Sequence, residues 1–508
     1  MAGEVYIAGA GMTKFGKSQL SLPELMTEAA SKAILEAQVP AIDYIFIGVM
    51  NVEEFTGDSN IAAMIADRLG LAGIPSSRIE TASSTGSAVF ESAFYSIASG
   101  YHKNVLVIAG EKMTHLPTAR TTKILAEVID PQERNYGATM PALAAMITQR
   151  YQYEAKLSPE KMQAILSKVA IKNHYNGSLN PYAQFRKIIS EADYFNSKWV
   201  AFPLRTYDCA PITDGAVAVV LTADKKLIRV SGLGHATDTM AVRHRDSLTS
   251  FRSTQLAAQQ AYQMAKIEPK DISLAEIHDA FTSFEIIGLE DLGFFPPKQA
   301  WRAVEEGLTT LKGKLPINPS GGLKARGHPV GASGLAQIAE VYWQLKGAVE
   351  PARQVAGGRI GLTQNIGGLA NNNLVTILER TDFYRATPVY WKPSFQARPL
   401  AENKTARGQL TSFSPDEKEG TLETFTILYT TPEGVPAPLT LGFVRFKNGQ
   451  RIIARSQDKD LKIGQKVEVE KAGDFYYWRG VSSSLDIKKS LKWLEQKIGS
   501  SKNKGKDS

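Results

Sequence analysis

The alternation of apolar and polar residues over about the first 380 positions predicts short buried strands separated by amphipathic helices. The first half has predicted strands at 5–11, 42–49, 104–109 and 216–221, and the second half has them at 228–234, 272–279, 359–364 and 374–378. Both halves follow the order β-α-β-α-β-β. The sequence therefore predicts a duplicated, layered α/β fold with largely parallel, buried strands.

The two halves differ by an insertion of about 90 residues in the first half, at 114–209. Helical periodicity at 140–153 and 159–174 indicates that the inserted segment is folded. Long connections inside a compact fold usually have a function or a structure of their own. The insertion is therefore predicted to be a lid over a site.

The composition of the chain changes after residue 381. A stretch with three prolines favours an extended linker. Alternating strands follow, with Asn448 and Gly449 as a two-residue hairpin turn, and they predict a small all-β barrel. The end of the chain holds seven lysines and three acidic residues and is predicted to be a basic tail. The predicted domains are two similar halves at 1–225 and 226–381, the linker at 382–405, the barrel at 406–484 and the tail at 485–508.

Composition narrows the class of protein. The chain has 508 residues, a single cysteine, 43% hydrophobic residues and a net charge of +8. One cysteine excludes a disulfide within the chain and any zinc or iron–sulfur site that needs two thiolates. The charge alone does not indicate a nucleic-acid binder. Because no secretory signal and no apolar run of about 18 residues is found, we expect a cytoplasmic protein that does not enter a membrane.

Small polar residues at 79–88 lie directly before an apolar helix. This placement puts Ser83 or Ser84 at the N-terminus of the helix, where backbone N–H groups and the helix dipole can stabilise an anion or an oxyanion. A simple helix cap explains the same residues, because serine and threonine are common there.

Two histidines occupy positions that are typical of ligand sites. His278 follows the predicted strand at 274–277, and α/β proteins place ligands at the carboxyl ends of such strands. A hydrogen-bonded structural histidine is the alternative. His328 lies in the glycine-rich stretch 318–334, where Pro329 fits the first position of a helix. So many glycines around one histidine favour a function, because they allow close approach of a ligand.

A second glycine pair follows another predicted strand, at 364–368. Asn365 and Gly367 in this segment could stabilise an oxyanion. A Gly-Gly turn explains the segment equally well.

The order and spacing of these motifs resemble the thiolase superfamily, and within it the sterol-carrier-protein type and its archaeal and bacterial relatives. The resemblance covers residues 1 to about 380. It rests on Gly-His-Pro-x-Gly-Ala-Ser-Gly at 327–334, His-Asp-x-Phe at 278–281 and Asn-Pro-Tyr-Ala-Gln-Phe-Arg at 180–186. Residues from about 382 to 480 resemble the small OB-fold domain that often accompanies such thiolases as a separate subunit, and that here is fused to the chain.

The resemblance implies two α-β-α-β-α halves, a homodimer, and chemistry on a carbon–carbon bond beside a coenzyme A thioester. It implies an acyl-CoA substrate and no permanently bound cofactor. The catalytic residues that it implies are Ser83, His278 and His328, the oxyanion residues are Asn365 and Gly367, and the contacts to coenzyme A are Ser320, Gly321, Gly322 and Ser333.

The chain departs from the family pattern at two positions. Ser83 stands where the family has its nucleophilic cysteine, and Ala280 stands where it has an acid/base cysteine. The single cysteine, Cys209, aligns with neither position, and we expect it to serve packing. A serine hydroxyl needs an adjacent base, which His328 could supply. No group at position 280 replaces the second cysteine for proton transfer.

Three functions are compatible with this pattern. The first is an acyltransferase that uses Ser83 and His328. The second is a non-covalent retro-aldol or retro-Claisen lyase that acts on a coenzyme A thioester. The third is a non-catalytic acyl-CoA binder in a complex with a second subunit of a thiolase pathway.

A different class of function involves the predicted barrel. A basic OB-fold could bind single-stranded nucleic acid through strand aromatics, but alternating aromatics usually face a core, so we expect no nucleic-acid partner. The candidate aromatics are Phe425, Tyr429, Phe443 and Phe446. The four-cysteine zinc ribbon of related OB-fold proteins has no counterpart here, so we expect no zinc.

Overall fold

The computed structural model of the chain describes residues 3–383, 418–458 and 460–481. Most of the predicted linker and the whole predicted basic tail lie outside these residues. The strands are β1 (Tyr6–Met12), β2 (Tyr44–Gly48), β3 (Ser76–Ile79), β4 (Asn104–Glu111), β5 (Trp199–Ala201), β6 (Leu204–Arg205), β7 (Gly215–Thr222), β8 (Ile228–Thr237), β9 (Leu274–Ile277), β10 (Ile360–Gly367), β11 (Asn372–Arg380), β12 (Glu419–Leu428), β13 (Leu439–Arg445), β14 (Arg451–Ser456), β15 (Lys466–Ala472) and β16 (Phe475–Gly480).

The helices alternate with the strands over the first 380 residues or so. They are α1 (Leu22–Ala37), α2 (Val52–Thr56), α3 (Ile61–Arg68), α4 (Thr85–Ala98), α5 (Thr118–Leu125), α6 (Pro131–Asn135), α7 (Met140–Glu154), α8 (Pro159–Leu179), α9 (Glu191–Phe195), α10 (Arg252–Ala265), α11 (Thr282–Asp291), α12 (Ala300–Glu305), α13 (Gly322–Ala325) and α14 (Ser333–Lys346).

A single nine-stranded sheet joins the two predicted halves. Its strand order is β3-β2-β4-β7-β1-β8-β11-β10-β9. The order β2-β4-β7-β1 is repeated in reverse by β8-β11-β10-β9, and the halves meet where Tyr6 pairs with Arg229 in the β1–β8 ladder. The duplicated strand order predicted from the sequence is therefore present in the sheet.

The expectation of a largely parallel sheet is wrong. Strands β2, β3 and β4 are parallel to one another, as are β9 and β10. By contrast, β7 is antiparallel to β4 and β1, and β11 is antiparallel to β10 and β8. For β11 the physical reason is that it follows β10 through a tight turn, which reverses the chain direction and leaves no room for a crossover helix. The chain reaches β7 through the long insertion that follows β4.

Helices α4 and α14 lie side by side in the buried layer of the protein and carry two of the predicted site segments. Both contribute apolar side chains to one hydrophobic core, for example Phe90 and Leu335. Pro329 does not start the second helix as the sequence predicted. It precedes a short 3₁₀ turn at Val330–Ala332, and the α-helix begins at Ser333.

The insertion folds into helices α5 to α9 and the short hairpin of β5 and β6. This hairpin joins the sheet of the C-terminal barrel, because Leu428 of β12 pairs with Ala201 of β5. The backbone N–H of Tyr429 donates to the carbonyl of Val200 at 3.0 Å. Main-chain hydrogen bonds therefore connect the barrel to the hairpin of the insertion.

The C-terminal strands form a closed five-stranded barrel with the order β13-β14-β16-β15-β12, which β12 closes by pairing with β13. Gly449, with φ +85°, turns the chain between β13 and β14. Of the four candidate aromatics, Phe425, Phe443 and Phe446 are buried and only Tyr429 is exposed. A ring buried in a core does not stack on a base, so this barrel surface offers little for the nucleic-acid alternative.

Among the described residues, no helix is both long and apolar enough to cross a membrane.

Candidate functional site

The serine turn, which we define as residues 81–85, begins helix α4. Ala82 has a left-handed backbone with φ +55°. Ser84 takes the N-cap position without a capping bond, because its Oγ donates to the carbonyl of Thr81 at 2.6 Å. Ser83 is 7% exposed, and its Oγ has no hydrogen bond to another described residue. Ser84 is therefore the N-cap by position but makes no side-chain capping bond, and Ser83 is not the cap.

His278 follows β9 and is held by the neighbouring strand β10. Its Nδ1 accepts from the side-chain Nδ2 of Asn365 at 2.9 Å and from the backbone N–H of Ile366 at 3.3 Å. A backbone N–H can only donate, so Nδ1 of His278 carries no proton. The proton of the neutral ring is therefore on Nε2, which makes His278 a hydrogen-bond donor toward a ligand.

His328 has the opposite arrangement. Its Nδ1 lies 2.6 Å from Oγ of Ser333, and that hydroxyl lies 2.9 Å from the carbonyl oxygen of Pro329. The carbonyl can only accept, so it takes the single proton of the Ser333 hydroxyl. Nδ1–H of His328 then donates to Ser333, and its Nε2 keeps a free lone pair that can accept a proton.

The two imidazole rings form a perpendicular pair with their centres 5.3 Å apart. Burial is the main reason why the pKa of His328 falls to about 3. Burial, together with the neighbouring His328, also lowers the pKa of His278 well below its usual value. Both rings are therefore neutral near pH 7, and one can donate where the other can accept.

Close contacts bring the serine turn, the glycine-rich stretch and the end of β10 together. A Cβ on Gly334 would lie 2.2 Å from Oδ1 of Asn365, and one on Gly367 would lie 2.3 Å from Oγ of Ser84. Only glycine permits this approach. The structure thus unites the segments that carry Ser83, His278 and His328, which the sequence predicted to be catalytic.

The remaining predicted site residues make internal contacts. Asn365 is hydrogen-bonded to His278, and Ser333 is hydrogen-bonded to His328. Ser320 donates through its backbone N–H and its Oγ to the buried carboxylate of Glu276, at 2.9 and 2.7 Å. A Cβ on Gly321 would meet the backbone of α8 within 2.7 Å, and one on Gly322 would meet the carboxylate of Asp279 within 2.6 Å. Contacts of Ser320, Gly321, Gly322 and Ser333 to coenzyme A stay a prediction.

Two buried charges near the site were missed by the sequence analysis. Glu276 lies in β9, and Arg326 lies in the glycine-rich stretch; both side chains are fully buried and they form an ion pair at 3.3 Å. The sequence did contain a signal for the first of them, because Glu276 is a charged residue inside the apolar run of β9.

Glu111 is a third buried charge close to the site. Its Oε2 accepts from the backbone N–H groups of Met50 and Gly331, at 3.0 and 3.1 Å. Burial raises the pKa of Glu111 to about 7. This carboxylate ties the loop after β2 to the turn that follows His328.

Cys209 lies beside Ala280, the position where the acid/base cysteine is missing. Its main chain pairs with that of Phe281, and the N–H of Ala210 donates to the carbonyl of Ala280 at 2.8 Å. Burial raises the pKa of the Cys209 thiol to about 12, in spite of the nearby Lys324. Such a thiol is protonated and unreactive at neutral pH, which agrees with a packing role.

Within residues 3–383, 418–458 and 460–481, no group of three or more His, Cys, Asp or Glu side chains is placed to hold a metal ion.

Family comparisons agree with the architecture. Residues 5–225 match the family described as thiolase, N-terminal domain, and residues 234–380 match thiolase C-terminal domain-like. Residues 416–471 match the family described as ChsH2, C-terminal OB-fold domain. The prediction of a thiolase fold followed by an OB-fold barrel is confirmed.

Curated relatives include an acetyltransferase and a sterol carrier protein. The chain is 41% identical over 388 residues to an acetyl-CoA acetyltransferase of Methanothermobacter thermautotrophicus, which covers 74% of this chain and 100% of the relative. It is 33% identical over 387 residues to sterol carrier protein 2 of Bos taurus, which covers 72% of this chain and 70% of the relative.

Solved structures show the same fold. The Ltp2-ChsH2(DUF35) aldolase is similar with a TM-score of 0.64 and 24% identity, over 75% of this chain and 99% of that one. A monomeric SCP2-thiolase like protein type 1 from Mycobacterium smegmatis is similar with a TM-score of 0.70 and 15% identity, over 94% of this chain and 99% of that one. By its family matches and its relatives, the chain belongs to the thiolase family.

Proposed function

We propose that the chain is a thiolase-type acyltransferase that acts on acyl-CoA and uses Ser83 in place of the family's cysteine. The observation that carries this proposal is the complementary histidine pair, with a donating Nε2–H on His278 and an accepting Nε2 on His328. The likeness to an acetyl-CoA acetyltransferase over nearly three quarters of the chain supports the acyl-CoA substrate class.

The proposed acyl transfer has two balanced steps. Oγ of Ser83 attacks the thioester carbon and its proton passes to Nε2 of His328, while Nε2–H of His278 donates to the carbonyl oxygen as that oxygen becomes negative. The carbon–sulfur bond then breaks, and the leaving thiolate of coenzyme A takes the proton from His328. In the second step an acceptor, such as the α carbon of a second acyl-CoA, attacks the serine ester, its proton passes to His328, and Ser83 recovers that proton as it leaves. Thiolysis of a 3-ketoacyl-CoA is the reverse of both steps, in which Ser83 attacks the 3-keto carbon and the α carbon of the departing acyl-CoA takes the proton.

A second candidate is a non-covalent lyase, for which the geometry of Ser83 is a specific reason. Its Oγ makes no hydrogen bond among the described residues, so no base is already bonded to the hydroxyl that acyl transfer would have to activate. Ala280 also leaves no second acid/base group. The similar Ltp2-ChsH2(DUF35) structure is described as an aldolase and shares the thiolase fold.

In the lyase reaction a 3-hydroxyacyl-CoA would lose its hydroxyl proton to Nε2 of His328. The bond between the α and β carbons would break to give a carbonyl compound and the enolate of the thioester. Nε2–H of His278 would stabilise the enolate oxygen, and the α carbon would take the proton back from His328.

Turnover of defined substrates separates the two candidates. Purified protein is incubated with acetoacetyl-CoA plus coenzyme A, and separately with a 3-hydroxyacyl-CoA, and products are followed by chromatography. We expect thiolysis that is lost in Ser83→Ala and in His278→Ala. Cleavage of the hydroxyacyl substrate that survives Ser83→Ala would favour the lyase, and coenzyme A binding without any turnover would favour a non-catalytic subunit. A protein that binds no coenzyme A contradicts all three functions.

A further inference from the structure

The carboxylate of Asp279, the residue after His278, reaches across to the glycine-rich stretch that carries His328. Its Oδ1 accepts from the backbone N–H of Leu323 at 2.6 Å, and its Oδ2 lies 3.4 Å from the backbone nitrogen of Lys324. The residue is fully buried. One carboxylate therefore ties the segment of His278 to a turn that shortly precedes His328.

The same carboxylate is bonded to Asn173 of helix α8, which belongs to the insertion. Nδ2 of Asn173 donates to Oδ2 of Asp279 at 2.7 Å and to Oε2 of Glu285 at 2.9 Å. An amide nitrogen has two hydrogens, so each carboxylate receives one of them. The orientation of Asn173 is therefore fixed, because a flipped amide would turn its oxygen toward two carboxylates.

Helix α8 also holds the main chain of the glycine-rich stretch. Three side chains about one helical turn apart donate to backbone carbonyls at the start of this stretch. The donors are Lys172, Asn176 and Asn180, and the acceptors are Ile317, Asn318 and Ser320, at 3.0, 2.9 and 2.9 Å in that order. Glycine permits this approach, since a Cβ on Gly321 would lie 2.6 Å from the Cα of Gly177. The glycine-rich stretch is therefore held by α8 as well as by Asp279.

The contacts of the rings themselves hold each ring within its own neighbourhood. His278 is bonded to Asn365 of β10, and His328 is bonded to Ser333 of α14. Neither bond sets the separation of the rings, whose centres lie 5.3 Å apart. That separation depends on contacts that cross from one segment to the other, and Asp279 makes such a contact at 2.6 Å.

We propose that Asp279 is a positioning residue that, oriented by Asn173, fixes the place of His278 relative to His328. In acyl transfer, His278 must reach the carbonyl oxygen while His328 reaches the hydroxyl that attacks the same carbonyl group. A displacement of about 1 Å is enough to cost such a reaction about 10²-fold. The placement of the rings follows from the contacts alone, and only its consequence for turnover rests on the proposed function.

Asp279→Asn tests the proposal at nearly constant volume. If the oxygen of the new amide still accepts from Leu323, its nitrogen faces the nitrogen of Asn173, and two donors meet. We expect kcat for thiolysis of acetoacetyl-CoA to fall by about 10²-fold, while KM changes by less than about threefold because no contact to the substrate is removed.

Asp291→Asn is the matched control. Asp291 is also buried and accepts from the backbone N–H of Phe251 at 2.6 Å, but it lies at the end of α11 that is remote from His278. We expect this variant to keep kcat within about twofold of the unmodified protein, even where its stability falls as much as that of Asp279→Asn. An equal loss of kcat in both variants would mean that Asp279 serves only the fold.

The exchange variant Asn173→Asp/Asp279→Asn provides a rescue. It again places a donor opposite an acceptor, whereas Asn173→Asp alone places a third carboxylate beside Asp279 and Glu285. The bond to Glu285 is lost in both variants that carry Asn173→Asp, so its effect cancels in the comparison. We expect kcat of the exchange variant to exceed the product of the two single losses by about tenfold or more. Simply additive losses would overturn the role of this contact.

Nuclear magnetic resonance gives a readout that needs no turnover. In full-length deuterated protein with protonated histidines, the nuclear Overhauser effect between the two rings is assigned with His278→Gln and His328→Gln. It should weaken in Asp279→Asn, recover in the exchange variant and stay unchanged in Asp291→Asn. Equal intensities in Asp279→Asn and Asp291→Asn would overturn the proposal.

Two further outcomes keep the proposal separate from folding and from the proposed function. If Asp279→Asn does not fold, Asn173→Ser takes its place, because a hydroxyl supplies one donor for two carboxylates and should weaken the same ring signal. If the unmodified protein turns over no substrate, the proposed function fails, and the ring signal still decides the role of Asp279.

Discussion

Nδ1 of His278 and the side-chain nitrogen of Asn365 lie 2.9 Å apart, and this contact occupies Nδ1 of the ring. Because the backbone N–H of Ile366 donates to the same atom, the ring proton is held on Nε2. The donor that we assign to the oxyanion site is therefore created by strand β10, which runs alongside β9.

Asn365→Asp should move the ring proton of His278 from Nε2 to Nδ1, while the shape of the side chain at position 365 hardly changes. A carboxylate at this position attracts a proton onto Nδ1 of His278, which removes the proton from Nε2. We expect kcat to fall by about 10²–10³, the usual effect of losing one oxyanion donor, with the fold retained. Steady-state kinetics with acetoacetyl-CoA measure the loss. The same exchange at the half-buried Asn371 is the matched control, and equal kinetics for the two variants would show that Asn365 does not set the tautomer.

Much of the fold and part of the site could be predicted from the sequence. The glycine-rich stretch around His328 and the strand end before His278 are local patterns, so the sequence could single out both histidines as candidates. The direction of β7 and β11 was missed, because helix-strand alternation shows neither the hairpin of β10 and β11 nor the direction in which the chain returns to the sheet after the insertion. The pairing of Glu276 with Arg326 was also missed, because 50 residues separate them and only the folded sheet brings them together.

Stability should fall at acidic pH in a way that depends on His328. Its pKa is about 3 in the folded protein and about 6.5 when unfolded, so between these values only the unfolded chain binds the proton. The free energy of unfolding is therefore highest above about pH 6.5 and declines as the pH falls, by about 2 kcal/mol from this ring between pH 7 and pH 5. Urea denaturation at both pH values should show a smaller decline in His328→Gln. Parallel declines for the two proteins would mean that the ring is not buried as a neutral group.

Cys209 should behave as a partly exposed thiol of low reactivity. Because its pKa is raised to about 12, it is almost fully protonated at pH 8. We expect slow reaction with a chromogenic disulfide in native buffer and fast reaction in urea, and we expect Cys209→Ala to keep its turnover. Rapid labelling of the native protein, accompanied by loss of activity, would instead place this thiol in the site.

Arg451 is one of the residues that attach the barrel to the rest of the chain. Its side chain is 4% exposed, pairs with Glu423, and donates through Nη1 to the carbonyls of Arg243 and Arg245 at 2.7 and 2.9 Å. Arg451→Met removes one of the two cationic partners of the buried carboxylate of Glu423. It should therefore reduce the free energy of unfolding by about 3–5 kcal/mol.

Arg445→Met is the matched control, because Arg445 pairs with the same carboxylate but its side chain is 41% exposed. We expect this variant to lose less than about 1 kcal/mol. Thermal and denaturant unfolding measure both variants. Similar losses would indicate that the carbonyl contacts between the barrel and the loop at 243–245 contribute little.

The most direct test of the central claim is the mass of the intact protein after brief incubation with acetyl-CoA. Transfer to Ser83 predicts a gain of one acetyl group in the unmodified chain. The same gain is expected in Ser84→Ala, because the hydroxyl of Ser84 is bonded to Thr81 in the unmodified chain and is not the proposed nucleophile. It predicts no gain in Ser83→Ala and a much slower gain in His328→Gln, which lacks the accepting nitrogen. An acetyl group that persists in Ser83→Ala, or thiolysis of acetoacetyl-CoA at an unchanged rate in that variant, would contradict the account.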